Sequence, residues 1–234
     1  MTIIAFDGKH LVADGASTHI NKKYKKSSDS FHLTKIVVPN FNWYDKNSNI
    51  TIKALVGTGV TSDIRDVIDE LMVAGRLELC ARDHFTRIQK LLRERVSCHV
   101  MAVGFEHFGP TTEPHVTDIF QSLDLVDRDF RWHYSDPAAP AIAGYIDHMP
   151  DWKLGDGWNN ALEIVSFGNA MFPDKCGGLI SRFNIHTGKL DHPKLTRSSR
   201  INSMLKKYEQ EEIAKIKERV NKGRDFLINP INTY

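Results

Sequence analysis

The chain has 234 residues, 41% hydrophobic and 26% charged, with a formal net charge of +2. That length suits one large domain or a domain with an appendage, and the composition is that of an ordinary globular protein rather than a disordered or fibrous one. No run approaches the roughly 18 apolar residues of a membrane helix, the start lacks the basic region and apolar stretch of a signal peptide, and three cysteines (Cys80, Cys98, Cys176) without CxxC spacing suggest neither a disulfide framework nor a zinc site. A cytoplasmic protein without membrane contact, metal or cofactor is expected. The basic residues at 22–26 and 194–224 lack interleaved aromatics, so nucleic acid is not an expected partner.

Residues 2–6 (Thr-Ile-Ile-Ala-Phe) read as a strand, Asp7-Gly8 as a type I′ hairpin turn, and Lys9–Ala13 as the return strand. Residues 22–28 read as a solvated basic loop. Strands at about 31–38 and 50–56 flank a polar turn around 45–49. Thr61 or Ser62 then caps a helix whose apolar face is Ile64, Val67, Ile68, Leu71 and Met72, with Gly75 as its stop. A second helix is expected at about 80–95, and strand signals return at Cys98–Phe105 and Val116–Phe120. Residues 122–155 carry no regular pattern, and the aromatic group Phe130–Tyr134 reads as a folded-over loop. A helix from about Trp158 to Phe172 and a strand at 178–186 complete a first domain, residues 1–190, of class α+β. Residues 191–234 form a helical extension, one long helix with a broken apolar stripe (Ile201, Leu205, Tyr208, Ile216, Val220) and Gly223 as its stop.

The chemistry-bearing positions come in a definite order. Thr2-Ile3-Ile4-Ala5 is followed by Ala13-Asp14-Gly15-Ala16-Ser17-Thr18, then by Lys35-Ile36-Val37-Val38, by Gly59 ahead of Asp63 at the opening of a helix, and by Asp174-Lys175-Cys176-Gly177-Gly178 ahead of a strand. In that order they resemble the proteasome β-subunit family, most closely its HslV-type bacterial branch and related phage-encoded subunits, within the N-terminal nucleophile hydrolase superfamily. The resemblance spans about residues 2–188. It implies a four-layer αββα sandwich, two antiparallel sheets covered by helices. It also implies a threonine peptidase in which Met1 is trimmed, the Thr2 hydroxyl is the nucleophile, and the Thr2 α-amine, with an ordinary pKa of about 8, is the base. Lys35 would lower the pKa of both groups, Asp14 would hold the ammonium, Gly59 would lend an oxyanion N–H, and Asp174 and Cys176 would support the amine. If Met1 stays, that mechanism fails.

The chain departs from the family at two places. The serine of a Gly-Ser-Gly segment, due near Ala141–Tyr145, is missing, and Asp174 lies one residue nearer the Gly-Gly, with Cys176 where a serine is usual. The readings left open are a ring-forming peptidase acting on peptide or protein substrates and fed by an ATP-driven unfoldase, a catalytically silent scaffold or partner-binding relative, and an amidohydrolase acting on a small amide. A homo-oligomer is expected, because the helix after Thr61 and the tail from Ile201 each offer an apolar stripe.

Overall fold

A computed structural model of the chain describes residues 3–21, 26–30, 35–46, 49–59, 61–78, 98–121, 132–134, 160–171, 173, 176–195 and 199–228. Thr2, Asp174, the helix expected at 80–95 and nearly all of 122–155 lie outside these. By its internal contacts the chain divides into two units, Met1–Leu195 and Thr196–Tyr234.

In the first unit, β1 (Ile3–Phe6) is apolar throughout and buried throughout, the pattern of a strand covered on both faces. It forms an antiparallel hairpin with β2 (His10–Ala13), Ile4 opposite Ala13 and Phe6 opposite Leu11. The turn is not the expected one. Type I′ needs positive φ at both central residues, but here Gly8 alone has it (φ +87°), and the Asp7 N–H donates to the His10 carbonyl at 3.2 Å. The loop is therefore Gly8-Lys9, with glycine first as type II′ requires. β3 (Ser17–Asn21) and β4 (Lys26–Ser30) make a separate antiparallel ribbon, so Lys26, Ser27 and Ser28 belong to a strand rather than to the expected loop.

The second large sheet runs β5 (Ile36–Val37), β7 (Ile50–Gly59), β8 (Cys98–Phe108), β9 (Thr111–Gln121), with β6 (Trp43–Asp45) also paired to β7. β6 occupies the start of what read as a polar turn, and Asn49 in the remaining turn has φ +55°. A register shift between Ile52 and Ala54 reverses the alternation of β7. Before it Ile50 and Ile52 face one side, and after it Leu55 faces that side while Ala54 and Val56 face the other. Pro114 is tolerated in β9, which pairs with β8 alone among the described strands.

The first sheet is completed by β10 (Trp132–Tyr134) beside β1, β11 (Ser181–Asn184) beside β2, and β12 (Lys189–Asp191) at the edge. Trp132–Tyr134 is thus a strand and not the expected loop, its order imposed by pairing with Ile3–Ala5. Likewise residues 189–191 continue the sheet, and the first unit runs past residue 190 to Leu195.

The inner faces of the two sheets share one core: Ile4, Phe6, Leu11, Ala13 and Phe183 from the first, Ile36, Ala54, Val56, Met101, Val103 and Val116 from the second. α1 (Thr61–Arg76) covers the other face of the second sheet, burying Ile64, Val67, Ile68 and Leu71 against Ile50, Ile52, Leu55, Val100 and Trp43. The stripe expected to mark an oligomer contact is therefore covered by the chain's own sheet. Gly75 is the last residue but one of α1, so the helix ends where expected. A Cβ there would come within 2.6 Å of the Trp43 indole, so the glycine marks a close approach of helix to β6. α2 (Asn160–Met171) packs against β1 and β2 and buries Ala161, Ile164 and Val165.

The second unit carries α3 (Ser199–Ile228), which runs through Gly223 without stopping. Ile213, Ile216 and Val220 are each about half exposed along it. Among the described residues, no helix is long and apolar enough to cross a membrane.

Candidate functional site

Asp14 follows directly after β2, where that strand leaves the first sheet, and is 1% exposed. A buried carboxylate is stable only if its oxygens are saturated with donors. Here Oδ1 accepts the Ile3 N–H at 2.9 Å and the Lys35 ammonium at 2.9 Å, and Oδ2 accepts the Gly177 N–H at 3.2 Å. Two backbone bonds brace the same corner: Asp14 N–H to the Ile3 carbonyl, and Gly15 N–H to the Gly177 carbonyl. One carboxylate thus ties together the start of β1, the end of β2, the residue ahead of β5 and the loop before β11.

Lys35 sits just before β5 and is 6% exposed. Burial pushes its ammonium below the ordinary lysine range, and the charge and hydrogen bond of Asp14, with a smaller contribution from Cys176, push back. The result is a cation whose proton is held less firmly than in water and whose position is fixed.

Gly59 closes β7. The register of β5 on β7, Ile36 opposite Val56, puts Lys35 and Gly59 at the same end of the second sheet. Its φ of +116° favours glycine, and Thr58 before it is 2% exposed.

Cys176 is 1% exposed and near enough for its sulfur to act on Lys35. Gly177 is the residue the sequence reading did not single out. Its φ is +123°, and a Cβ on it would come within 2.1 Å of Asn169 Oδ1 on α2. At that φ any other residue would strain the loop that supplies Asp14 with a donor. The Gly177-Gly178 pair was the visible signal, but only the fold shows which amide does the work.

Of the six residues singled out in the sequence, Asp14, Lys35 and Cys176 come together, Gly59 lies at the same sheet end as Lys35, and Thr2 and Asp174 lie outside the described residues. Thr2 is joined by its peptide bond to Ile3, whose N–H Asp14 receives. Cys98, by contrast, has its thiol pushed up to about 12, first by burial and then by Asp63, which makes it a packing residue. Among the described residues no three His, Cys, Asp or Glu side chains converge as metal ligands do.

No protein-family model matches the chain, and no curated protein matches it.

Proposed function

We propose that the chain is an N-terminal threonine hydrolase, a proteasome- or HslV-like peptidase on a four-layer αββα sandwich. The observation that carries this reading is the fully buried Asp14 carboxylate, shared by Lys35 and by the amide next to Thr2. A buried ion pair is a poor device for stability alone, since an apolar pair of similar volume does as well or better. A lysine held beside a chain terminus has a chemical use: its positive field lowers the pKa of a neighbouring hydroxyl and amine.

In the proposed reaction, trimming of Met1 frees the Thr2 amine. The amine takes the hydroxyl proton, directly or through a water, as the oxygen attacks the amide carbonyl of the substrate. The Gly59 N–H steadies the oxyanion, the leaving amine departs with a proton from the Thr2 ammonium, and water clears the acyl ester. Asp14 remains the anchor of Lys35 throughout. Asp174 and Cys176 would steady the terminal amine in place of the absent serine. Substrates would be peptides or unfolded protein, and a homo-oligomeric chamber fed by an ATP-driven unfoldase would keep the nucleophile from folded proteins.

A catalytically silent scaffold is the second reading. It is favoured by the lack of a serine at Ala141–Tyr145 and by the exposed apolar side chains of α3. A small-amide amidohydrolase would share the same nucleophile.

Intact-mass measurement followed by a covalent probe separates these readings. The active enzyme loses Met1, gains one adduct from a peptide epoxyketone or β-lactone, and loses that adduct in Thr2→Ala while Thr2→Ser retains part of it. Full retention of Met1 rejects the peptidase and leaves the scaffold. Labelling by the lactone without cleavage of any peptide library, but with turnover of small amides, favours the amidohydrolase.

A further inference from the structure

The other buried carboxylate of the first hairpin, Asp7, stands at the opposite end of β2 and is 3% exposed. Its Oδ1 accepts the Lys9 and His10 amides at 2.9 and 2.7 Å, and its Oδ2 accepts the Ala161 N–H at 3.3 Å, in the first turn of α2. It thus serves as the turn acceptor of the hairpin and as a cap for the helix. Beside it His10, 8% exposed, has an Nδ1 with no hydrogen-bond partner, 3.7 Å from Asp7 Oδ2.

The state of that imidazole follows from the residue on its far side. Asn184 Oδ1 accepts the N–H groups of His186 and Thr187 at 3.0 and 3.1 Å. Backbone amides only donate, so the Asn184 oxygen must face the turn and its Nδ2 must face His10 Nε2, at 3.4 Å. An amide NH2 also only donates. Nε2 must therefore be the acceptor, which leaves the proton of the neutral ring on Nδ1, aimed toward Asp7 and too far from it to bond.

We infer that His10 is a proton-operated latch between the first hairpin and the β11–β12 turn: neutral, it belongs to Asn184, and on taking a second proton it leaves Asn184 and closes on Asp7. The second proton arrives on Nε2, where it meets the Asn184 donor head-on. The same proton gives the ring a full charge facing the Asp7 carboxylate across a short gap. Other charges around the ring act on this exchange. His10 is the least of the influences that lower the Asp191 carboxyl on β12, Arg182 on β11 is paired with Asp191 through two bonds at 2.9 and 2.8 Å while its charge also acts with Asp7, and Lys9, Lys189 and Glu163 lie on the turn, on β12 and in the first turn of α2. Acid thus ties His10 to Asp7 within the hairpin and releases the Asn184 carboxamide, whose oxygen braces the amides of residues 186 and 187. The groups that hold Asp14 are Ile3, Lys35 and Gly177, so the latch does not depend on the peptidase reading.

Long-range proton–nitrogen NMR on the full chain, labelled at histidine, reads the tautomer directly. At about pH 8, above the ordinary histidine range of about 6.5, the His10 proton is expected on Nδ1. On acidification the backbone amides of His186 and Thr187 should shift in step with the ring. A proton on Nε2 at high pH, or amides at 186 and 187 that stay still while the ring titrates, would overturn the latch. Asn184→Asp puts an acceptor opposite Nε2; it should move the neutral proton to Nε2 and let the ring stay charged to higher pH, the direction a close opposite charge imposes. An unchanged titration in that folded variant would equally overturn it.

Discussion

Asp7 and Asp14 bracket the same four-residue strand, both are buried, and both spend their oxygens on backbone amides, yet they do different work. Asp7 receives only N–H groups, from its own turn and from α2, and the nearby imidazole makes no hydrogen bond with it. Asp14 receives two N–H groups and a lysine that reaches across from the second sheet. A carboxylate that holds amides is a fastener, and its isosteric amide can take over part of the task. A carboxylate that holds a buried cation fixes a charge in space, and its loss leaves that charge stranded.

The comparison breaks if the two aspartates prove equally replaceable. Asp14→Ala should be the most damaging change, about 3–5 kcal/mol by denaturant unfolding, because Lys35 is left buried without its counter-ion. Lys35→Met combined with Asp14→Asn should recover much of that loss while removing any activity. Gly177→Ala comes next, at about 1–3 kcal/mol, since alanine must adopt a positive φ against Asn169. In that variant the residual probe labelling should fall more than the stability does, because the loop that donates to Asp14 is strained.

Asp7→Ala should cost about 1–2 kcal/mol, the range of a lost helix cap, with Asp7→Asn milder. If Asp7→Ala proved as severe as Asp14→Ala, the distinction between fastener and charge anchor would fail.

The smallest effect belongs to the surface pair Arg182–Asp191. The hydrogen bond from Arg182 holds the Asp191 carboxyl below its ordinary 3.8. A depressed carboxyl contributes stability above the unfolded value, and that stability is lost as the pH falls below 3.8 toward the folded one. Asp191→Asn should therefore cost under about 1 kcal/mol at neutral pH and nothing in strong acid, which pH-dependent urea midpoints would measure.

Local pattern revealed much of this fold. The apolar run at Ile3–Phe6 gave the first strand, the i, i+3, i+4 spacing of Ile64, Val67, Ile68 and Leu71 gave α1, and the broken apolar stripe from Ile201 to Val220 gave the long tail helix. What stayed hidden depends on partners far along the chain. Gly75 read as a helix stop, and α1 ends one residue later; its further constraint, the Trp43 indole, has no local signal. β6 and β12, at three residues each, carry no period of their own and exist because a longer strand lies beside them. Asp7 read as a turn residue, which it is, but its second role as a cap for α2 spans 154 positions. For the site, Lys35 and Asp14 were found as a pair through an ordered set of family-like motifs rather than through spacing, and the donor amides of Ile3 and Gly177 are invisible in side-chain chemistry.

The partners of Asp14 lie 11, 21 and 163 positions away along the chain. The first is met as soon as the opening hairpin closes; the last requires a loop that spans most of the first unit, and such closures are slow and come late in folding. A nascent or truncated chain therefore lacks the finished charge anchor. Competence of this corner becomes a report on whether the whole unit has been made and folded, a built-in delay for a protein whose proposed chemistry would be dangerous if it began on the ribosome.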